Sequence, residues 1–220
     1  MRQILFLVVC AAGLAVLLSL GVWQLRRLEW KEGLIAQAEA MIAQAPVPLP
    51  AAPDPAHDRY RAVTVEGRFT GEETYVLTST RERGPGFLII AAFETEDGRR
   101  ILIDRGYVPE TAKTTPRRGH GATVTGNLNW PDDITSSTPA HDEKTDIWFG
   151  RDLAGMAAQL KTDPVLVIAR ADTGDGITPM PATAAFRNDH LGYAVTWFGL
   201  AAVWAGMTLG YLWRIRRRTV

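Results

Sequence analysis

Two long stretches without charged residues stand near the two ends of the chain. The first runs from Ile4 to Trp23 and has 20 residues, and the second runs from Leu191 to Trp213 and has 23. At a rise of about 1.5 Å per residue, helices of these lengths would measure roughly 30 and 35 Å, enough to cross a hydrocarbon core of about 30 Å. Both stretches therefore predict transmembrane helices.

A cleaved signal peptide and a buried core helix are the alternatives to these two spans. The first stretch is long for a signal peptide, and no A-x-A-like cleavage site follows it. Val9 before Cys10 also fits a lipoprotein signal poorly, so we expect an uncleaved anchor. The second stretch is apolar on all sides, which is typical of a membrane span.

Between the two spans, the pattern changes from helical to strand-like. Residues 24–45 have a helical composition, and residues 46–58 contain five prolines, which predicts an extended linker. Six β-branched and aromatic runs separated by Gly, Pro or Asp follow, and one helix is predicted over 151–160. The six predicted strands cover residues 61–69, 74–80, 86–95, 99–108, 122–129 and 164–171.

The order of these elements limits the fold class. Strands do not alternate with helices, so a parallel doubly wound sheet is not expected. An antiparallel sheet or a partly closed barrel fits better, and Asp97-Gly98 predicts a tight hairpin turn. The expected domains are a first transmembrane helix over 4–23, a helical extension and Pro-rich linker over 24–58, a β-rich domain over 59–186, and a second transmembrane helix over 191–213.

The charge distribution sets the expected orientation of the spans. The sequence has 24 basic and 24 acidic residues, but four arginines are concentrated at 214–218. A short basic tail beside a span stays in the cytoplasm. Arg26, Arg27 and Lys31 argue for the opposite orientation, and we give more weight to the denser C-terminal cluster. The predicted fold class is thus an α+β membrane protein with two transmembrane helices flanking an antiparallel β-rich extracytoplasmic domain.

Familiar enzyme signatures are missing from the sequence. The phosphate-binding, nucleophile-elbow, zinc-protease and dinucleotide-binding patterns do not occur. The single cysteine, Cys10, lies inside the first predicted span, which excludes a disulfide framework, a Cys-x-x-Cys redox pair and a thiolate copper site. A membrane-anchored sensor or enzyme would need polar residues that converge in the β-rich domain, and the sequence indicates no such set.

His190 is the histidine whose position suggests a role as a ligand. The other three lie in polar loops without metal-ligand spacing and are interpreted as surface residues: His57, His120 and His141. His190 lies one residue before the second apolar stretch, with Tyr193 and Trp197 on the same helical face. One interpretation is an interfacial anchor. The other is a neutral imidazole that binds the iron of a haem arriving from lipid, with the macrocycle packed on Tyr193, Trp197 and Phe198. These residues by themselves leave both interpretations open.

Several segments resemble one protein family. NDHLGYAVTWFGLA (188–201) is similar to the C-terminal signature of the Surfeit locus protein 1 family, and LGVWQLRRLEWK (20–31) resembles the exit of its first helix. Internal motifs in the expected order are GRF (67–69), ILIDRGYVP (101–109), VTGNL (124–128) and WFGRDLAGMA (148–157). The residues that depart from the usual family pattern are Asp104, Tyr107, Asp189 and Gly192.

The resemblance implies a membrane assembly factor for aa3-type cytochrome c oxidase rather than an enzyme. Such a factor would bind haem a transiently and assist its insertion into oxidase subunit I, the main expected partner. Haem a synthase and membrane lipid are further expected partners, and nucleic acid is not. The implied location is the bacterial inner membrane, with both termini cytoplasmic and the central domain periplasmic.

The resemblance also implies a haem site near the outer end of the two helices. His190 is the implied iron ligand. Tyr193 and Trp197 are expected at the same site because they share its helical face, and Trp23 and Gln24 because they lie at a similar depth at the outer end of the first span. Arg105 and Gly106 are expected to be structural, with Arg105 in an ion pair or on haem propionates. Gly206 and Gly210 form a G-x-x-x-G pattern that indicates close packing against the first helix or against a client subunit. The alternative function is a haem-independent scaffold that stabilises nascent subunit I.

Overall fold

The computed structural model describes residues 1–184 and 188–218, which form two compact units. The first unit comprises Met1–Gln37 and Ala184–Val220, and the second comprises Ala38–Thr183. Two terminal apolar helices therefore accompany a central sheet domain. The expected end of the β-rich domain at residue 186 lies outside the described residues.

The elements follow in chain order. The helices are α1 (Arg2–Ile42), α2 (Pro55–Asp58), α3 (Leu153–Leu160) and α4 (His190–Arg218). The strands are β1 (Val47–Pro48), β2 (Ala62–Thr80), β3 (Gly84–Thr95), β4 (Arg100–Pro109), β5 (Gly121–Asn129), β6 (Ile147–Trp148) and β7 (Leu166–Ala169). The predicted helical extension over 24–45 is the last part of α1, which continues without interruption to Ile42.

Both long helices leave most of their apolar surface uncovered by protein. The most apolar 18-residue window has a mean hydropathy of 2.7 in α1 and 1.3 in α4, and only 11% and 6% of these windows is buried. A core helix of a domain would hide such side chains from solvent. The length, composition and exposure of the two helices are compatible with a membrane protein.

In the first unit, α1 and α4 pack side by side and run in opposite directions. Their less exposed positions repeat at intervals of three and four residues, the spacing of two helices in lengthwise contact. These positions are Cys10, Leu14, Leu17, Gly21, Gln24 and Leu28 on α1, and Ala194, Phe198, Ala201, Ala205, Thr208 and Leu212 on α4. The ring of Phe198 lies against Gly21, and the indole of Trp204 donates to the Cys10 carbonyl at 2.9 Å. The contact residue on α1 rises from Cys10 to Gly21 while its partner on α4 falls from Trp204 to Phe198, so the two helices are antiparallel.

In the second unit, five strands close into a small barrel. Their order is β2-β3-β4-β7-β5, and β5 pairs again with β2. Closure depends on the length of β2, which has 19 residues and changes partners along its course. Residues 62–68 pair with β5, and residues 67–80 pair with β3 across an irregularity between Phe69 and Glu73. Two predicted strands, 61–69 and 74–80, are therefore one bent strand.

The sheet is mixed, which corrects the expectation of an antiparallel domain. β4 and β7 are parallel neighbours, and the short strands β1 and β6 both run parallel to β2. A parallel neighbour requires a long crossover connection. The chain between β4 and β7, which includes β5 and α3, provides one.

Two apolar layers explain why β4 is buried almost throughout. Ile101 and Ile103 point into the barrel interior, where Phe69 and Phe93 pack edge to face with ring centroids 4.9 Å apart. Leu102 points to the opposite face, under a layer that includes α3. Because successive side chains of a strand alternate between faces, the run 101–103 is apolar on both covered sides of the sheet.

Candidate functional site

His190 and Gln24 are joined by a hydrogen bond within the first unit. The imidazole Nδ1 lies 2.8 Å from the Oε1 of Gln24, although 166 positions separate the two residues in sequence. Gln24 is only 8% exposed, so its amide is fixed in the contact between α1 and α4. His190 begins α4 and is half-buried.

This hydrogen bond determines the proton position on a neutral imidazole. With the carbonyl oxygen of the Gln24 amide turned to the ring, Nδ1 is the donor, and a neutral imidazole in this tautomer keeps its lone pair on Nε2. Metal-binding histidines commonly donate their second ring N–H to an oxygen in this way, which fixes the ring and raises its basicity. Among the described residues no hydrogen-bond partner of Nε2 is found. The arrangement suits His190 to act as a neutral nitrogen ligand.

The other expected site residues lie on one flank of the helix pair. At about 100° per residue, Tyr193 and Trp197 turn from the helix contact towards the same flank as Trp23 on the antiparallel α1. Tyr193 is 57% exposed and Trp23 55%, while Trp197 is half-buried. In the first unit by itself, these side chains are open to the outside on the flank of His190.

Phe198 does not lie on this flank. Its ring lies against Gly21 on the opposite flank, where a Cβ added to Gly21 would come within 2.7 Å of it. The structure therefore places the Phe198 ring in the contact between α1 and α4, away from the flank of Tyr193 and Trp197. Tyr193 and Trp197 remain the aromatic residues of α4 next to His190.

The His190–Gln24 pair lies near one end of the first unit. Near the other end, Phe6 and Tyr211 are in contact with ring centroids 4.9 Å apart. Gln24 follows Phe6 by 18 residues and His190 precedes Tyr211 by 21, which corresponds to roughly 27 and 32 Å at about 1.5 Å per residue. This separation matches a hydrocarbon core of about 30 Å. A bilayer around the apolar part would have His190 at its boundary.

The G-x-x-x-G pattern of α4 makes no contact with α1. An added Cβ at Gly206 or Gly210 would meet nothing within 4 Å, and the same is true of Gly192 and Gly199. Packing of Gly206 and Gly210 against the first helix is thus excluded within the described residues. The helix contact uses Gly13 and Gly21 of α1 instead.

Arg105 and Gly106 have structural roles in the barrel. The guanidinium of Arg105, with its side chain 2% exposed, binds Asp175 at 2.8 Å and lies 4.3 Å over the ring of Phe69. The ion-pair alternative for Arg105 is therefore the one that the structure supports. Gly106 has φ +114°, and a side chain there would collide with the carbonyl of Thr178.

The remaining histidines differ in their surroundings. The side chain of His57 is 84% exposed, as expected for a surface residue. His141 is not a surface residue: its side chain is 18% exposed, and its ring stacks on Trp148 at 4.0 Å. No group of three or more His, Cys, Asp or Glu side chains that could hold a metal ion is found within 1–184 and 188–218.

The barrel gathers charged residues that the sequence did not indicate. Arg117 and Glu73 pair at 2.7 Å with side chains 1% and 10% exposed. Asp104, 2% exposed, accepts from the Gly106 amide and lies 3.4 Å from the Arg151 guanidinium. Burial raises the pKa of Asp104 to about 6, despite the attraction of Arg151. Each of these charges has an opposite partner within the barrel. No short sequence motif predicts these ion pairs.

Comparison with known proteins identifies the family. The SURF1 family model matches residues 11–202. Surfeit locus protein 1 of Rattus norvegicus is 30% identical over 231 residues, covering 93% of this chain and 74% of the relative. A SURF1-like protein of Rickettsia felis is 31% identical over 221 residues, covering 93% of both chains. Surfeit locus protein 1 of Homo sapiens is 30% identical over 220 residues, covering 89% of this chain and 72% of the relative. This chain is a member of the SURF1 family.

Proposed function

We propose that this protein is a membrane assembly factor for aa3-type cytochrome c oxidase, which binds haem a and assists its insertion into subunit I. Family membership supports the assembly role. The His190–Gln24 hydrogen bond supports the haem role and carries the proposal. The protein acts without catalysing a reaction: it holds haem a as cargo and passes it to its client.

The residues around His190 fit a haem whose iron takes one nitrogen ligand. Gln24 fixes the hydrogen on Nδ1, which directs the lone pair of Nε2 away from the helix contact. The iron, when bound, supplies the Lewis acid for this lone pair. Tyr193, Trp197 and Trp23 offer aromatic surface for the macrocycle, and their exposure leaves it accessible from outside the helix pair.

The membrane setting explains why such a site stands at the end of two apolar helices. A haem with an apolar tail partitions into lipid, so a ligand at the bilayer boundary meets it without passage through water. The antiparallel packing of α1 and α4 requires both termini on one side if both helices span. We place that side in the cytoplasm of a bacterial inner membrane because of the basic tail after α4, and the barrel in the periplasm.

The partners follow from this chemistry. Subunit I receives the haem, haem a synthase supplies it, and the surrounding lipid is the medium through which it moves. The competing function is a scaffold that stabilises nascent subunit I and never contacts haem. The two functions differ in their dependence on Nε2 of His190, because a scaffold has no use for that lone pair.

A complementation experiment tests the proposal. A strain that lacks its own copy would receive the wild type, His190→Ala, or His57→Ala as an exposed-histidine control, and oxidase would be purified from each. We expect His190→Ala to lower the haem a content per subunit I severalfold, with His57→Ala equal to the wild type. Full haem a content with His190→Ala would contradict haem handling and leave the scaffold.

A further inference from the structure

We propose that Arg27 is a carboxylate receptor that binds the propionate groups of the haem held by His190. This inference rests on the proposed function, since it concerns the polar edge of the same ligand. A haem with an apolar tail is amphipathic, and its two propionates carry negative charge. A bilayer boundary therefore orients the macrocycle with the propionates towards water.

The position of Arg27 on α1 matches that edge. Arg27 follows Gln24 by three residues, so it lies about 4.5 Å further along the helix, past the apolar stretch that ends at Trp23. At about 100° per residue it turns towards the flank that carries Trp23 and Tyr193. The Arg27 side chain thus leaves the helix on the flank of Trp23 and Tyr193, further from the apolar stretch than His190.

The surroundings of Arg27 leave its charge available. The guanidinium carbon lies 4.0 Å from the ring centroid of Trp30, which is itself 51% exposed. Stacking on an aromatic face holds an arginine in place and leaves its in-plane N–H groups directed outward. The ion pairs found within residues 1–184 and 188–218 do not include Arg27, although Glu29 and Glu32 are on the same helix. A planar guanidinium without a carboxylate partner suits bidentate binding of a propionate.

Arg26 provides a matched control. It is adjacent in sequence, carries the same charge and is also exposed. At about 100° per residue it points away from the flank of Tyr193 and away from α4. Its removal changes the net charge of this turn as much as removal of Arg27, but without removing a group on the flank of His190.

The test measures haem release from the detergent-solubilised full chain to excess apomyoglobin. The chain would be loaded with haem a or with its propionate dimethyl ester, which lacks the two negative charges. We expect Arg27→Gln to release haem a roughly three- to tenfold faster than the wild type, and to release the ester at the wild-type rate for the ester. Arg27→Lys should be intermediate, because a point charge replaces a bidentate fork. Arg26→Gln should match the wild type within about twofold.

Each other outcome has a definite meaning. Equal effects of Arg27→Gln and Arg26→Gln, or an unchanged ratio of acid to ester release in Arg27→Gln, would overturn the receptor role. If the wild type retains haem a, His190→Ala loses it and Arg27→Gln has no effect, only this inference fails. If the wild type binds neither haem a nor the ester, the proposed function and the inference fail together.

Discussion

Removal of the Gln24 amide should weaken haem binding while leaving the iron ligand in place. The perturbation is Gln24→Leu, which keeps the approximate size of the side chain and removes the acceptor of the Nδ1 hydrogen. In the wild type the bond is 2.8 Å long and Gln24 is 8% exposed, so water would not readily replace the lost partner. The imidazole would then be free to rotate and to exchange its tautomers.

The size of the effect follows from what hydrogen bonds to metal-binding histidines contribute in other proteins. Loss of the partner that orients a metal-binding histidine typically weakens metal affinity by about 10- to 100-fold, or roughly 1.4–2.8 kcal/mol. We therefore expect a Kd for haem a that is about 10- to 100-fold higher in Gln24→Leu. Gln24→Glu restores an acceptor and should remain within about threefold of the wild type. Gln37→Leu, an exposed position on the same helix, serves as the control.

The assay is a haem a titration of the detergent-solubilised chain, followed in the Soret band at concentrations near Kd. Competition with a second haem-binding protein would extend the range if binding is tight. An affinity of Gln24→Leu within twofold of the wild type would refute the reasoning. It would mean that the Nδ1 hydrogen bond has no part in preparing His190 as a ligand.

Three further variants test the fold around the site. Gly21→Ile should separate α1 from α4 and lower haem retention, because a Cβ there would lie 2.7 Å from the Phe198 ring. Gly199→Ile is the control and should behave as the wild type, because a Cβ at Gly199 meets nothing within 4 Å. Gly106→Ala should destabilise the barrel by about 2 kcal/mol or more, since φ is +114°, which urea unfolding followed by fluorescence would detect. Asp104→Asn should alter the pH dependence of stability. Burial raises the pKa of Asp104 to about 6 from 3.8, so the folded chain takes up a proton that the unfolded chain does not. The wild type should therefore gain stability relative to Asp104→Asn, by about 1–3 kcal/mol, as pH falls from 7 to 4, and parallel curves would contradict this.

The two long helices were predictable because their signal is local. An uncharged run of 20 residues determines an apolar helix regardless of the rest of the chain. The heptad spacing of Cys10, Leu17 and Gln24 is visible only once the direction of packing is known. For the same reason the sequence did not show that Phe198 is taken up by the helix contact, since this depends on its register with Gly21.

The mixed character of the barrel was not predictable from the strands themselves. Alternation of apolar and polar residues identifies a strand but not its neighbour. The parallel pairing of β4 with β7 depends on where the chain returns after α3. The sequence also did not show that β2 continues from Thr70 to Glu73, because the polar stretch between the two predicted strands has the composition of a turn. The ion pair of Arg117 with Glu73 joins residues 44 positions apart, and no local pattern reports it.

The candidate site was predictable in part. His190 and Gln24 each adjoin an uncharged stretch, so the sequence predicts that both lie at the same depth, near a membrane boundary. Their hydrogen bond depends on tertiary register, so it became visible only in the folded chain. In the sequence, Arg27 bears only on the orientation of the spans across the membrane. Its contact with Trp30 depends on side-chain geometry, which the sequence does not give.

The visible spectrum of the purified protein tests the central claim most directly. The wild type and His190→Ala would be produced in cells that make haem a, purified in detergent and compared at equal protein concentration. The account predicts a haem a spectrum in the wild type that is lost in His190→Ala, with the barrel still folded by near-UV circular dichroism. A wild-type preparation free of haem a, or an unaltered spectrum in His190→Ala, would contradict it.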